Sequence, residues 1–96
     1  MTKTEKLNNA ATGYVEGKCG FNSVYTAYIE IYGAQYDRIA NAKNLHPHDV
    51  QAGFEDTLIN VLQQYTPKKG DFTHFLNKSL RNKLIDILRK QNSITD

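Results

Sequence analysis

The residues best suited to chemistry lie in the last third of the chain, on one predicted helix or in the turn before it. Lysine and arginine can neutralise phosphate groups, and an asparagine can pair with a base edge through its donor and acceptor atoms. Phenylalanine rings can stack on unpaired bases. Residues of these types are Lys68, Lys69, Phe75, Lys78, Arg81, Asn82, Arg89 and Lys90. Their charge pattern alone is more typical of a solvated helix face than of a nucleic-acid contact, so contact with DNA is a hypothesis for these residues.

Catalytic and metal chemistry have little support in the sequence. No nucleophile stands beside a general base, so we do not expect an enzyme. His46, His48 and Asp49 lack the i, i+4 spacing of metal-binding pairs on helices and have no fourth ligand, so we favour a polar turn without metal or cofactor. Cys19 is the only cysteine, which excludes an internal disulfide and fits a free thiol in a reducing cytoplasm.

A turn followed by an amphipathic helix is predicted for the segment from Thr66 to Lys90. Pro67 and Gly70 are typical of turns, and Asp71 can accept the first free backbone N–H groups of a helix. Apolar residues then recur every three or four positions, which predicts a buried stripe. The stripe consists of Phe72, Phe75, Leu76, Leu80, Leu84, Ile87 and Leu88. We favour a core position for its first residue over base stacking.

Two further helices are predicted upstream. The first begins at Asn22 or Ser23, either of which can cap it, and runs to about Lys43. Its face is rich in tyrosine, and we favour packing at the edge of the core over base stacking for these rings. The second helix runs from about Asp49 to Tyr65, with Pro47 suited to its first turn.

The domain organisation follows from these helices. Residues 1–20 contain several glycines and asparagines, and they predict either a flexible arm or a short lead-in helix. Residues 21–96 are expected to form one compact all-α domain of three to four helices. An apolar content of 40% with 23% charged residues is ordinary for a globular domain, and no apolar run is long enough to cross a bilayer.

The net charge of +2 conceals two halves of opposite sign. Between Lys68 and Lys90 there are seven basic residues and two acidic ones, whereas between Phe21 and Pro67 there are five acidic residues and two basic ones. This asymmetry favours two different partners over one.

The C-terminal segment contains Gly70-x-Phe72, Phe75-Leu76 and Arg81-Asn82-x-x-Ile85-Asp86-x-Leu88-Arg89-Lys90 without a gap. It resembles region 2 of bacterial sigma factors of the sigma-70 family, most closely the extracytoplasmic-function type. In that family a turn ending in R-G-x-F leads into a helix reading roughly W-L-x-x-I-A-R-N-x-x-I-D-x-L-R-R. Two departures keep the aromatic character and the charge: Phe75 replaces the usual Trp, and Lys69 the usual Arg.

The two upstream helices add to this resemblance. The segment from Tyr32 to Ala40 is similar to the first region 2 helix of the family. The second predicted helix is similar to a family helix of the type D-L-x-Q-E-x-F-L, which clasps the clamp helices of the largest polymerase subunit. It is about three residues shorter than that helix between its acidic pair and Tyr65. The resemblance implies polymerase contacts at Asp49, Phe54, Glu55, Asp56 and Ile59.

The resemblance implies a transcription initiation protein that binds core RNA polymerase and recognises and melts the minus-ten promoter element, holding extruded bases in pockets. Region 4 of sigma factors has no counterpart in these 96 residues. The chain is therefore expected either to work with a separate region 4-like partner or to be part of a longer protein. Two alternatives stay open. One is a phage- or mobile-element-type protein that modulates or inhibits polymerase without reading DNA, and the other is a generic helical DNA-binding protein.

Overall fold

Periodic apolar stripes along the chain produce five α-helices in the computed structural model, which describes the backbone of residues 2–94 and the side chains of residues 2–90. No strand occurs in this part of the chain, so the predicted all-α fold is confirmed. The helices are α1 (Lys3–Val15), α2 (Phe21–Tyr32), α3 (Gln35–Lys43), α4 (Pro47–Gln64) and α5 (Phe72–Ile94), with a 3-10 turn at Pro67–Lys69.

Helix α1 begins with a reciprocal cap between Thr2 and Glu5. The Glu5 N–H donates to the Thr2 hydroxyl at 3.1 Å, and this hydroxyl donates to the Glu5 carboxylate at 3.2 Å. Leu7 and Ala11 are completely buried against the rest of the protein, because α1 packs on α2 and α5. Of the two structures that the sequence left open for residues 1–20, the lead-in helix is the one observed.

Helix α5 receives its N-terminal cap from α1. The backbone N–H of Thr73 donates to the side-chain oxygen of Asn8 at 2.9 Å, across 65 residues of sequence. The sequence had assigned this role to Asp71, which is exposed. A distant side chain supplies the acceptor because the docking of α1 brings Asn8 to the first turn of α5.

We expect Asn8→Ala to lower the free energy of unfolding, because it leaves the Thr73 N–H of α5 without its acceptor. The matched control is Asn22→Ala at an exposed position of α2, which gains the same helix propensity from alanine. Urea denaturation followed by circular dichroism should separate the two variants by about 1 kcal/mol. Equal stability of the two variants contradicts the capping role.

One long helix was predicted between residue 22 and Lys43, but the structure contains two. The break falls at Gly33 and Ala34, between the end of α2 and the start of α3, and glycine is a poor helix former. Gly33 still donates its N–H to the Ile29 carbonyl at 2.9 Å, and the Gln35 side chain donates to the Ile31 carbonyl at 3.1 Å. These bonds satisfy the backbone at the break. Residues 21–94 therefore form four helices, within the three to four expected, and α1 is the fifth.

The start of α2 also differs from the prediction. Asn22 and Ser23 were the expected caps, yet both lie inside the helix and are exposed. The capping position is Gly20, which has no side chain to bond the first turn. The helix begins earlier because Phe21 already belongs to its packed face.

The core lies where α4 packs along α5 and α3, with α1 and α2 beside them. Phe72 is fully buried, which confirms its core position, and its ring meets Tyr65 edge-on at 5.2 Å between centroids. The largest fully buried side chains are Tyr28, Phe72, Leu7, Leu58, Leu76, Val24 and Val50.

Tyrosines join α2 and α3 to the two long helices. They pack into the protein as predicted, but Tyr28 is fully buried and belongs to the core itself and not to its edge. Tyr28, Tyr32 and Tyr36 are buried. The Tyr36 hydroxyl donates to that of Tyr28 at 2.5 Å, and the Tyr32 hydroxyl donates to the side-chain oxygen of Asn77 on α5. Each ring therefore buries its apolar body and keeps a hydrogen-bond partner for its hydroxyl.

We expect stability to fall as pH rises above about 10, the pKa of an unfolded tyrosine. Burial raises the pKa of Tyr28 and Tyr32, and burial raises the pKa of Tyr36 to about 12. Below pH 10 these phenols stay protonated in both states. Above it, the unfolded chain loses protons first and is stabilised. Tyrosinate absorbance should therefore rise together with the loss of helical circular dichroism. Complete ionisation of all tyrosines with the helices intact contradicts this prediction.

Candidate nucleic-acid and protein interfaces

The turn before α5 is held in one conformation by its own residues. Gly70 has φ +104° and ψ −152°, a region that only glycine adopts without strain. The Tyr65 hydroxyl donates to the Gly70 carbonyl at 2.6 Å. The Lys69 ammonium donates to the Gln64 carbonyl at 2.9 Å, which satisfies the C-terminal end of α4. The predicted turn is therefore confirmed, and Lys69 has a structural bond as well as a predicted DNA contact.

A cleft of about 310 Å³ opens between the end of α4, this turn and α5. Phe75 is half-buried on one side of it and Tyr65 lies on the other, while Lys69 stands at its rim. We call this the Phe75 cleft; its lining residues are Val61, Gln64, Tyr65, Lys69, Phe75 and Ser79. It offers an aromatic and apolar surface next to a cation.

Four of the cleft residues were not predicted from the sequence. Val61 and Tyr65 are separated by one turn of α4, and Phe75 and Ser79 by one turn of α5, so each pair shares a helix face. This spacing was visible in the sequence, but only the packing of α4 against α5 shows that the two faces meet. Gln64 joins them through its carbonyl bond to Lys69.

The other predicted DNA-binding residues are exposed but do not form one cluster. Asn82 follows Phe75 by seven residues and therefore lies on nearly the same edge of α5. Arg81 lies about 100° away from Asn82 around the helix, and it lines a different groove, between α3 and α5. The exposed positions are Lys68, Lys78, Arg81, Asn82, Arg89 and Lys90.

The exposed side of α4 carries the acidic residues predicted to contact a protein partner. Asp49 and Asp56 are exposed, and Ile59 is exposed to 41% beside them. We call these three residues the acidic face. A small cleft of about 200 Å³ next to Ile59 is lined by Tyr14, Phe21, Ile59, Leu62 and Gln63, which extends the apolar part of this surface to α1 and α2.

Glu55 differs from the acidic face because a tyrosine binds it. The Tyr25 hydroxyl donates to its carboxylate, and the Gln51 side chain also approaches it at 3.4 Å. The hydrogen bond to Glu55, followed by burial, raises the pKa of Tyr25. Glu55 therefore links α4 to α2 and has less freedom to meet a partner than Asp56.

Phe54 was predicted as a polymerase contact, and the structure contradicts this role. It is only 3% exposed, and its ring packs edge-on against Tyr36 at 6.0 Å between centroids. Val50, Phe54 and Leu58 follow one another at four-residue steps, so all three face the core. Phe54 therefore lies in the core and is not part of the exposed side of α4.

The His46–Asp49 segment starts α4. The Nδ1 atom of His46 accepts the backbone N–H of His48 at 3.1 Å, and Pro47 occupies the first turn. Among the described residues, no group of three or more His, Cys, Asp or Glu is placed to hold a metal ion. Nor does any described helix have the length and apolar character needed to span a membrane.

No protein-family model matches the chain, and neither a curated protein nor a solved structure does. The geometry itself separates two kinds of surface. One is an aromatic cleft between α4 and α5 with Lys69 at its rim, and the other is a face of α4 with two exposed carboxylates and an exposed isoleucine. They suit two chemically different partners.

Proposed function

We propose that this chain is a sigma-factor-like transcription initiation protein, which binds core RNA polymerase and the minus-ten promoter element. The observation that carries the proposal is the Phe75 cleft, because it lies at the junction of turn and helix where the resemblance implies base recognition. The proposal includes a separate region 4-like partner for the upstream promoter contact.

The shape of the Phe75 cleft favours an unpaired base over a duplex. A base inside a duplex keeps its faces stacked, so only an extruded base can lie against the rings of Phe75 and Tyr65. Base–aromatic stacking contributes about 1–3 kcal/mol per base. Lys68 and Lys69 in the preceding turn are exposed, so under this proposal they contact phosphates next to the captured base.

The acidic face supports the polymerase half of the proposal. Its exposed carboxylates, Asp49 and Asp56, lie seven residues apart on one face of α4, and exposed Ile59 follows Asp56 by three residues. Charged and apolar groups that lie side by side are typical of protein interfaces. Because this face is on α4 and outside the Phe75 cleft, one molecule can hold polymerase and DNA together.

We expect Phe75→Ala to weaken single-strand binding by roughly 10- to 100-fold, as the loss of one stacking contact predicts. The ligand is a single DNA strand. It is selected from a pool of random single strands by its binding to the complex of this chain with bacterial core polymerase. Fluorescence anisotropy compares this strand with its duplex. The matched control is Ile31→Ala, which removes a half-buried apolar side chain of α2 outside the cleft. Unchanged strand affinity of Phe75→Ala contradicts the proposed role of the cleft.

A second candidate function is a polymerase modulator that does not read promoter DNA. It is favoured by the position of the acidic face outside the Phe75 cleft, since polymerase binding does not require the cleft. Under this alternative, Arg81→Ala and Asn82→Ala keep the effect on transcription. Under the initiation proposal both substitutions abolish it.

A further inference from the structure

A second groove lies between α3 and α5, on the other edge of α5 from the Phe75 cleft. It has a volume of about 320 Å³, which is within the size of ordinary ligand sites. Buried Phe54 and Leu80 form its floor, and half-buried Ile39 and Leu84 form apolar walls. We call it the Arg81 groove, because the exposed guanidinium of Arg81 is its only charged lining group among the described residues.

Two amides in the Arg81 groove are fixed by hydrogen bonds. Asn77, which lines the groove, accepts the Tyr32 hydroxyl through its side-chain oxygen, and its NH2 group can still act as a donor. Gln35 donates its NH2 group to the Ile31 carbonyl, so its oxygen remains an acceptor. A donor and an acceptor held beside apolar walls match the edge and the faces of a base.

We propose that the Arg81 groove is a second site for an unpaired base of single-stranded nucleic acid, held between Ile39 and Leu84 with its phosphate on Arg81. This inference rests on the proposed binding of a single strand, and it assigns that strand a second point of attachment.

The positions along α5 give the path between the two sites. Phe75, Lys78 and Arg81 follow one another at three-residue steps, so they cross the exposed side of the helix diagonally. Six residues correspond to a rise of about 9 Å and a turn of about 120°, which places the two sites about 13 Å apart. At about 3.4 Å per nucleotide along a stacked strand, at most about four nucleotides separate the two bases. Lys78 lies midway and is placed to contact a phosphate between them.

Abasic scanning of a strand selected from a random pool tests this inference with the full chain at low salt. We expect two positions at which removal of the base weakens binding, separated by at most about four nucleotides. Ile39→Gln leaves the net charge unchanged and should weaken strand binding roughly tenfold. In this variant, base removal should no longer matter at one of the two strand positions, whereas it should still weaken binding at the other. Phe75→Ala should abolish it at the other. Lys18→Leu is the control for Arg81→Leu, because it removes one exposed cation from the turn between α1 and α2.

The outcomes distinguish this inference from the proposed function. If Phe75→Ala weakens binding while Ile39→Gln and Arg81→Leu stay within twofold of the parent chain, the Arg81 groove holds no base and only the first site stands. If Arg81→Leu weakens binding no more than Lys18→Leu does, the guanidinium acts as a general charge and the inference is overturned. A chain that selects no single strand overturns both. Melting temperatures of the Ile39 and Phe75 variants show that each remains folded.

Discussion

Replacing Phe72 with alanine is expected to lower the free energy of unfolding by about 3–5 kcal/mol, the cost of emptying a filled core position. Phe72 has no exposed surface, and its ring packs against Tyr65 where α4 and α5 meet. A domain of this size has a total stability of about 5–15 kcal/mol, so a large part of it is lost. Urea denaturation followed by circular dichroism measures the change.

Phe75→Ala is the internal control for this prediction. Phe75 is half-buried at the edge of a cleft, so its removal leaves an open surface instead of a closed cavity. We expect it to cost less than half as much stability as Phe72→Ala, although it is the variant that loses strand affinity. Equal destabilisation by the two substitutions would mean that Phe75 is a core residue and that its cleft is not a binding surface.

The parts of the fold that the sequence predicted are those encoded by neighbouring residues. Helix α4, helix α5 and the turn between them follow from apolar periodicity and from Pro67 and Gly70, whose conformations are local. The cap of α5 was not predictable in this way. Asn8 is separated from Thr73 by 65 residues, and nothing in either segment marks the pair. Such a contact depends on the position of α1 after folding.

The candidate site shows the same division between local and distant information. Arg81 and Asn82 are adjacent in the sequence, but the helix turns them about 100° apart, and only the packed structure shows that they border different hollows. The resemblance assigned Phe54 to a polymerase contact, but Phe54 lies at four-residue steps from Val50 and Leu58 and is buried with them in the core. The residues of the Arg81 groove come from four helices, so no sequence motif contains them.

Charge was the most informative property of the sequence for the proposed protein-binding surface, although it did not show which carboxylate is the more available to a partner. Glu55 and Asp56 are adjacent and both acidic, yet the Tyr25 hydroxyl binds Glu55 while Asp56 is exposed. A partner gains more from a carboxylate that is not already bonded within the domain. Asp56 is therefore the sharper probe of the proposed polymerase contact.

Asp56→Lys is expected to weaken binding of bacterial core polymerase by more than about 30-fold, because a surface that complements the Asp56 carboxylate would face a like charge, which costs several kcal/mol. The substitution is exposed on α4, so we expect the stability of the domain to change by less than about 0.5 kcal/mol. Fluorescence anisotropy of the labelled chain, titrated with core polymerase, measures the affinity. The loss should shrink as salt is raised, since the contact is electrostatic and near the solvent.

Asp37→Lys is the matched control, because Asp37 is an exposed carboxylate on α3 and the substitution makes the same change in net charge. If both variants lose polymerase equally, the effect comes from overall charge and not from the acidic face. If Asp56→Lys keeps full affinity while the parent chain binds, polymerase contacts another surface, and the cleft around Ile59 and Tyr14 becomes the next one to substitute. A selective loss in Asp56→Lys supports α4 as the polymerase-binding helix and leaves the Phe75 cleft available for the strand.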